Sequence, residues 1–544
     1  MPSFLQTAPV QSNRFLTDRA LRLTLERLLP PEIFAQAAPA FTRLGERARA
    51  ELPALAAQAE ANPPTHLPYD SWGKRIDRID VDPAFTRLVE IGAEEGLVAC
   101  AYDAGLGQYG RVVQVGLAHL YDPVSAVATC PLVMTDGAAT VLRQLDPALA
   151  ARYLPRLTAR HHAITSGQWM TETAGGSDVS RTETTAAPLE NGQFALTGTK
   201  FFTSATSADI ALALARTPDS APGSAGLSLF LLELKNPDGS WNGITVRRMK
   251  DKMGTKALPT AELELNGTIA VPVAGLGRGV AKIARLLNIA RLWAGLAAPA
   301  GVGHFLDLAR DYAQKREVFG RPLAQTPSHT AWIAGLTAEY EAMLALNFET
   351  ARAIGETEHG TETLSRLLAP LNKLACARDG IDVASQLLES FGGAGYMEDT
   401  GIPRVFRNLH VHTIWEGTTN VLAHDVVRAL RDRALGEAFI EDIKKRMRDL
   451  KSPEATTAGR IDAALTTLAP HILAPSEDDA RFLGQGMARL FEASLLAQSG
   501  EWRAATYQDN SGLIAADLFT RKPLLPVSGV DLELDQLAYG LPNL

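Results

Sequence analysis

Cysteine is almost missing: Cys100, Cys130 and Cys376 are the three in 544 residues, and they stand far apart. Neither a disulfide framework nor a paired Cys-x-x-Cys zinc site can be built from them. They fit a reducing compartment, with buried thiols as the expected state. Long hydrophobic runs are missing too. The most apolar stretch, Trp293–Leu308, contains Pro299, His304, Asp307 and three glycines. A membrane span needs ~20 mostly apolar residues, so this reads as a packed helix. Arg14, Asp18, Arg19, Arg22, Glu26 and Arg27 interrupt the start of the chain, which leaves no secretory h-region. These absences predict a soluble, cytoplasmic protein without a membrane partner. There is no excess of positive charge. Lys plus Arg is 53 against 61 Asp plus Glu, a net charge of -8, which does not support a wholesale nucleic-acid binder. No GxSxG elbow and no HExxH motif occur.

What is present is an ordinary globular composition, 46% hydrophobic and 21% charged. It excludes disorder over most of the chain and supports a sizeable core. Residues 1–165 read as an N-terminal helical domain. Arg19–Leu29 and Phe41–Ala61 have helical patterning, Asn62-Pro63-Pro64 breaks the chain, and further periodic stretches fill 83–155. Residues 166–275 read as a middle β-domain, an antiparallel barrel or sandwich. Its strands are expected at Gln193–Gly198, Asp209–Ala215, Leu227–Leu234, Ile244–Arg247, Ala261–Leu265 and Ile269–Val271. Residues 276–436 read as a C-terminal helical bundle, with helices at Val280–Lys315, His329–Gly355, Glu362–Phe391 and Asn420–Leu435. Residues 437–544 form a helical extension ending in a tail, Pro523–Leu544, without a clear element. Helices, then strands, then helices make an α+β fold that is mostly α.

Some motifs carry little. Gly105–Gly110 matches GxGxxG but lacks a preceding strand and a βαβ frame, so it reads as a turn. His161, His162, His410 and His412 have no carboxylate or cysteine at metal-site spacing. Three segments carry more. Trp169–Val179, WMTETAGGSDV, crowds glycines and hydroxyls into a short loop that can approach a flat or anionic ligand. Phe391–Tyr396, FGGAGY, allows close passage of a phosphate or a helix. Ile414–Asn420, IWEGTTN, sets one carboxylate, Glu416, beside a tryptophan. Burial there disfavours the charged form and suits a base working near neutral pH.

These segments stand in order with Gly198-Thr199-Lys200-Phe201-Phe202 and Lys315-Arg316-Glu317-Val318-Phe319-Gly320. Together they resemble the acyl-CoA dehydrogenase family. Asn62-Pro63-Pro64, Tyr69-Asp70, Arg75-Ile76-Asp77, Met249–Gly254 and the helical extension narrow the resemblance to its AidB branch, the adaptive alkylation-response flavoproteins. The resemblance implies FAD, bound between the β-domain and the helices and reaching across the subunit interface of a homotetramer. It places Met170 and Thr171 against the isoalloxazine, and Ser177 near the flavin phosphates or the acyl-CoA. Phe202, Thr203 and Ser204 would line the flavin. Arg316, Phe319, Glu389, Gly392 and Gly393 would meet the ADP half. Trp415, Thr418 and Asn420 would also hold FAD, while Asn288 and Arg291 would lie near the pantetheine. Glu416 would be the base. The chain departs from the family pattern at Phe202 (often Trp), Glu389 (often Gln), Val318 (Thr) and Thr326-Pro327 (His-Gln).

The implied activity is dehydrogenation of an acyl-CoA, with electrons passed to an electron-transfer flavoprotein. The alternative implied by the AidB branch is binding of DNA and its protection from alkylation. Residues 437–544 hold 11 Lys plus Arg and 16 Asp plus Glu. The single basic cluster, Lys444, Lys445, Arg446 and Arg448, is flanked by Glu441, Asp442 and Asp449. That balance opposes a phosphate-binding surface and reads as a solvated helix face.

Overall fold

The computed structural model describes residues 6–448, 450 and 455–526. Asp449 and the tail beyond residue 526 lie outside the described residues.

The N-terminal part is helical: α1 (Arg14–Thr17), α2 (Arg19–Leu28), α3 (Pro31–Ala50) and α4 (Leu52–Ala61). Asp18 caps α2 by accepting from the Leu21 N–H at 3.1 Å. The single helix expected over Phe41–Ala61 is divided at Glu51. Pro53 explains the break: it has no N–H to continue the ladder and its ring crowds the preceding turn. A hairpin that the sequence reading did not contain follows, β1 (Thr65–Tyr69) with β2 (Arg75–Asp80). Then come α5 (Pro83–Glu94), α6 (Gly110–Tyr121), α7 (Thr129–Leu145) and α8 (Pro147–Leu157).

The middle of the chain forms β3 (Ser166–Trp169), β4 (Thr185–Pro188), β5 (Phe194–Ser204), β6 (Ile210–Arg216), β7 (Leu227–Glu233), β8 (Ile244–Met249) and β9 (Thr260–Pro272). Pairings run in a closed circuit, β6–β4–β5–β9–β7–β6, so the sheet is a small barrel. It is antiparallel except where β3 and β4 lie parallel to β6. Trp169, Phe194, Leu196, Phe230, Val246 and Leu263 fill one core. Leu212, Leu214, Leu229 and Leu231 face the other way, against Val141 and Leu142 of α7. The two expected runs Ala261–Leu265 and Ile269–Val271 are one strand. Asn266-Gly267 is taken up as an irregularity in the β5–β9 register rather than as a turn.

The bundle comprises α9 (Gly279–Lys315), the two-residue strands β10 (Glu317–Val318) and β11 (Arg321–Pro322), then α10 (Pro327–Glu358), α11 (Ser365–Glu389), α12 (Ile402–His410) and α13 (Thr419–Leu430). Trp293–Leu308 lies inside α9, mostly buried. Among the described residues no helix is long and apolar enough to cross a membrane. The extension adds α14 (Arg433–Arg448), α15 (Ala455–Leu473), α16 (Ala480–Tyr507) and α17 (Ser511–Thr520). It is tied to α10 by buried charge: Arg446 to Glu349 at 2.6 Å, Arg503 to Glu341 at 2.8 Å, and Arg489 and Lys522 to Glu339 at 3.3 and 2.7 Å.

Candidate active site

A cleft of about 760 Å³ lies where the barrel meets α7, α9 and the turn Ile414–Thr418. That size is within the usual range of small-molecule sites. Met170 and Thr171 enter it from the end of β3, Phe202 and Ser204 from the end of β5, and Lys250–Thr255 from the loop after β8.

The loop after β3 is held by a buried ion pair. Lys200 Nζ meets Glu172 Oε1 at 2.5 Å, and both side chains are almost wholly buried. Glu172 also accepts from the Glu183 N–H at 2.6 Å and the Thr184 hydroxyl at 2.6 Å. Burial alone would raise the Glu172 pKa, but the Lys200 ammonium and these donors hold it below the ordinary carboxylate range. The Phe201 N–H donates to the Thr171 carbonyl at 2.9 Å. The motifs around Thr171 and Lys200 are therefore one mechanical unit. Gly175 makes its turn, since a Cβ there would come within 2.5 Å of the Asp178 carbonyl oxygen.

Glu416 projects from the turn that opens α13. Its φ is +56° and that of Gly417 is +105°. The left-handed region is sparsely used by residues other than glycine, so surrounding structure must over-determine this turn. Lys373 Nζ donates to the Gly417 carbonyl, fixing the bend from α11. The Trp415 indole N–H donates to His412 Nδ1 at 3.2 Å, and the two rings meet edge to face. Gln168 Nε2 faces Glu416 Oε2 at 3.5 Å. Burial pushes the Glu416 pKa above the ordinary carboxylate range, while Arg291, Lys373 and Gln168 oppose the rise. Burial also brings Lys373 down to about 7 and His412 down to about 3, so His412 is a neutral hydrogen-bond acceptor. Arg291 pairs with Asp425 at 2.6 Å, and Asp425 also accepts from Arg366 at 2.8 Å.

Of the residues singled out by the sequence, Met170, Thr171, Ser177, Phe202, Ser204, Arg291, Trp415, Glu416 and Thr418 line this cleft. Thr203 does not. It is fully buried, and its hydroxyl donates to the Ala261 carbonyl at 2.7 Å, because alternation along β5 turns it away from its neighbours. Asn288 is half-buried on α9 and outside the lining. Asn420 is exposed and accepts from Arg481 at 3.3 Å. Arg316, Phe319, Glu389, Gly392 and Gly393 all lie on open surface away from the cleft. Sequence reasoning missed Gln168, Lys373, Asp425, Asp122 and Cys130. They sit in regular elements or short turns and carry no local motif. Among the described residues no group of His, Cys, Asp and Glu could hold a metal ion.

The comparisons agree with one another. The acyl-CoA dehydrogenase middle domain matches residues 167–268 and the acyl-CoA dehydrogenase C-terminal domain matches 277–431. The N-terminal domain of the adaptive response protein AidB matches residues 6–163. The chain is 37% identical over 533 residues to acyl-CoA dehydrogenase family member 11 of Caenorhabditis elegans, covering 91% of this chain and 85% of that one. It is 31% identical to the putative acyl-CoA dehydrogenase AidB of Escherichia coli K12, over 80% of this chain and 83% of that one. The crystal structure of Caenorhabditis elegans ACDH-11 in complex with C11-CoA superposes with a TM-score of 0.93 at 35% identity, over 97% of this chain and 94% of that one. The chain thus belongs to the acyl-CoA dehydrogenase family of FAD-dependent oxidoreductases, on its AidB-like branch.

Proposed function

We propose that the protein dehydrogenates an acyl-CoA thioester between its α and β carbons, with Glu416 as the base. The observation that carries this reading is one carboxylate held in a strained turn at a buried cleft wall, its pKa pushed upward by burial. A thioester α-proton is weakly acidic, and a base poised toward working pH removes it best. Glu416 takes the α-proton onto its carboxylate. The Glu416 N–H makes no hydrogen bond among the described residues and is the donor we assign to the thioester carbonyl oxygen, where negative charge develops. Lys373 and Gly417 keep that carboxylate in place through the turn. Arg291, oriented by Asp425, is assigned to the pantetheine side of the cleft.

The chain's own groups suit FAD. The Thr171, Ser177 and Thr418 hydroxyls face the cleft without partners among the described residues. The flat side chains of Phe202 and Trp415 line the same space, and Gln168 Oε1 is a buried acceptor with no donor. Bound FAD supplies the acceptor for the hydride that leaves the β-carbon. We assign the ADP half to the exposed group Arg316, Phe319, Glu389, Gly392 and Gly393 of a neighbouring copy in a homotetramer. Reoxidation is assigned to an electron-transfer flavoprotein. The three free, buried thiols suit a cytoplasmic location. The acyl-CoA assignment draws support from the C11-CoA ligand of the nematode structure.

The DNA reading draws little support from the basic cluster. Arg446 is withdrawn from the basic cluster into pairs with Glu349 and Asp442, and Arg448 pairs with Glu441. The deciding experiment is an anaerobic absorbance titration with acyl-CoAs of graded length. Bleaching of the flavin band by one class supports dehydrogenation. A flavin that dithionite reduces and no acyl-CoA bleaches would end the reading, and salt-sensitive duplex binding would then favour the alternative.

A further inference from the structure

The lining of the cleft is not apolar throughout. Cys130, Val133 and Met134 of α7 lie at i, i+3 and i+4, so they present one face to it. Trp293 and Ala294 of α9 supply further wall. Cys130 lies within electrostatic reach of both Glu416 and Lys252, whereas neither group acts on Asp122, so Asp122 stands farther from the base than Cys130 does. From Cys130 the lining continues to Thr129 and then to Asp122, on the turn that precedes α7. Met134 to Thr129 runs along the helix toward its N-terminus, at about 1.5 Å per residue. The walls therefore change from hydrocarbon to carboxylate as the cleft runs away from Glu416.

Asp122 is an unusual group to find there. It is 8% exposed. Its side chain has one partner, the Thr129 hydroxyl, which donates to Oδ1 at 2.6 Å. The other oxygen has no donor and no cation pairs with the carboxylate among the described residues. Burial raises its pKa to about 6, and the Thr129 bond opposes the rise. At neutral pH it is mostly ionised and half satisfied. That second oxygen is open to the cleft, where water can serve it until a ligand displaces that water. An apolar chain end pressed against it would strip its water and return no bond. A hydroxyl at the chain end would replace that water with a charge-assisted hydrogen bond.

We infer that Asp122 is a specificity-determining residue, and that it selects acyl-CoA thioesters whose chain carries a hydroxyl at its far end. The inference deepens the dehydrogenase reading and rests on it for the placement of the thioester at Glu416. Lys252 is not the selecting group. Its ammonium already donates to the Leu258 carbonyl at 2.5 Å and to the Thr260 hydroxyl at 3.2 Å.

The test is calorimetric binding to the FAD-loaded Glu416→Gln enzyme, where no turnover disturbs the titration. Each saturated acyl-CoA from butanoyl to dodecanoyl is compared with its ω-hydroxy twin. At the matching length the hydroxy twin is expected to bind about tenfold or more tightly, one good charge-assisted bond. Asp122→Leu on the same background is expected to reverse the preference, and Asp122→Asn to weaken it. Should the leucine variant fail to fold, the asparagine variant and the length series still decide. Saturated chains binding as tightly as their twins at every length, with Asp122 present, would overturn the inference. Failure of the dehydrogenase reading is seen separately: wild-type flavin would be bleached by neither series while the binding preference persisted.

Discussion

Two regions of the chain carry its glycine-rich and aromatic motifs, and they differ in where the reasons for those residues lie. At the cleft, the residues that shape the motif loops answer to partners in the same chain. Gly175 is small because the Asp178 carbonyl is 2.5 Å from where a Cβ would stand. Lys200 is charged because Glu172 is buried beside it. At the far corner the chain supplies no such reason. A Cβ on Gly392 or Gly393 would meet nothing within 4 Å, and Phe319 is 102% exposed in a left-handed conformation. A glycine pair in open space and an aromatic ring in water are explained from outside the chain, by the ligand and neighbouring copy we propose. The loops of the first region are braced from within the chain; those of the second are not.

The contrast can be broken in several ways. Glu416→Gln should give the largest change, with turnover down by about 10²–10⁴-fold and flavin content unchanged. Anaerobic bleaching measures it, and near-normal bleaching would remove Glu416 from the chemistry. Lys200→Met should come next. It leaves Glu172 buried without its cation, at about 3–5 kcal/mol, and loosens the loop that carries Thr171. Urea unfolding and the flavin-to-protein ratio should fall together. At the exposed corner they should separate. Phe319→Ala and Gly393→Ala should lower flavin retention and oligomer content while apoprotein stability stays within about 0.5 kcal/mol. Loss of stability on that scale or larger would mean the corner is built for the single chain after all.

The smallest effect tests electrostatics alone. Glu416 must be deprotonated to act, and burial raises its pKa, so activity should fall with decreasing pH above the ordinary carboxylate range. Lys373 opposes that rise. Lys373→Met should therefore move the ascending limb of the pH–rate profile to higher pH. A limb that stays put would show that Lys373 acts only through its bond to Gly417.

The sequence was legible where one physical signal spoke alone. The long helices α9, α10 and α11 follow from apolar periodicity, and Glu416 from an acid beside Trp415 in a recurring motif. It misled where signals competed. Asn266-Gly267 has the chemistry of a tight turn, yet ladder bonds to β5 on either side carry β9 through it. The residues Thr65–Asp80 read as an interruption after Pro64, yet they pair as a hairpin whose Asp77 binds His66 at 2.8 Å and Arg75 at 2.8 Å. Thr203 was expected at the flavin with Phe202 and Ser204, but three consecutive strand residues cannot share one face. Gln168, Lys373 and Asp122 were out of reach, because Gln168 and Lys373 matter through partners 248 and 44 positions away and Asp122 through the shape of the cleft, which no local window contains.

The charge ties between α10 and the last helices bear on how such a protein can be cut or recombined. Glu339, Glu341 and Glu349 lie on the inside of the bundle and pair with Arg489, Lys522, Arg503 and Arg446 of the extension, Glu349 also with Arg352 of its own helix. A shortened chain ending near residue 436 would keep the acids and discard those bases. The cut would also strip from the bundle core the apolar side chains of α16, among them Leu483, Met487 and Leu490, and bare the face of α10 they cover. The final segment is therefore no removable tag, and grafting it onto a shorter relative would require α10 to travel with it.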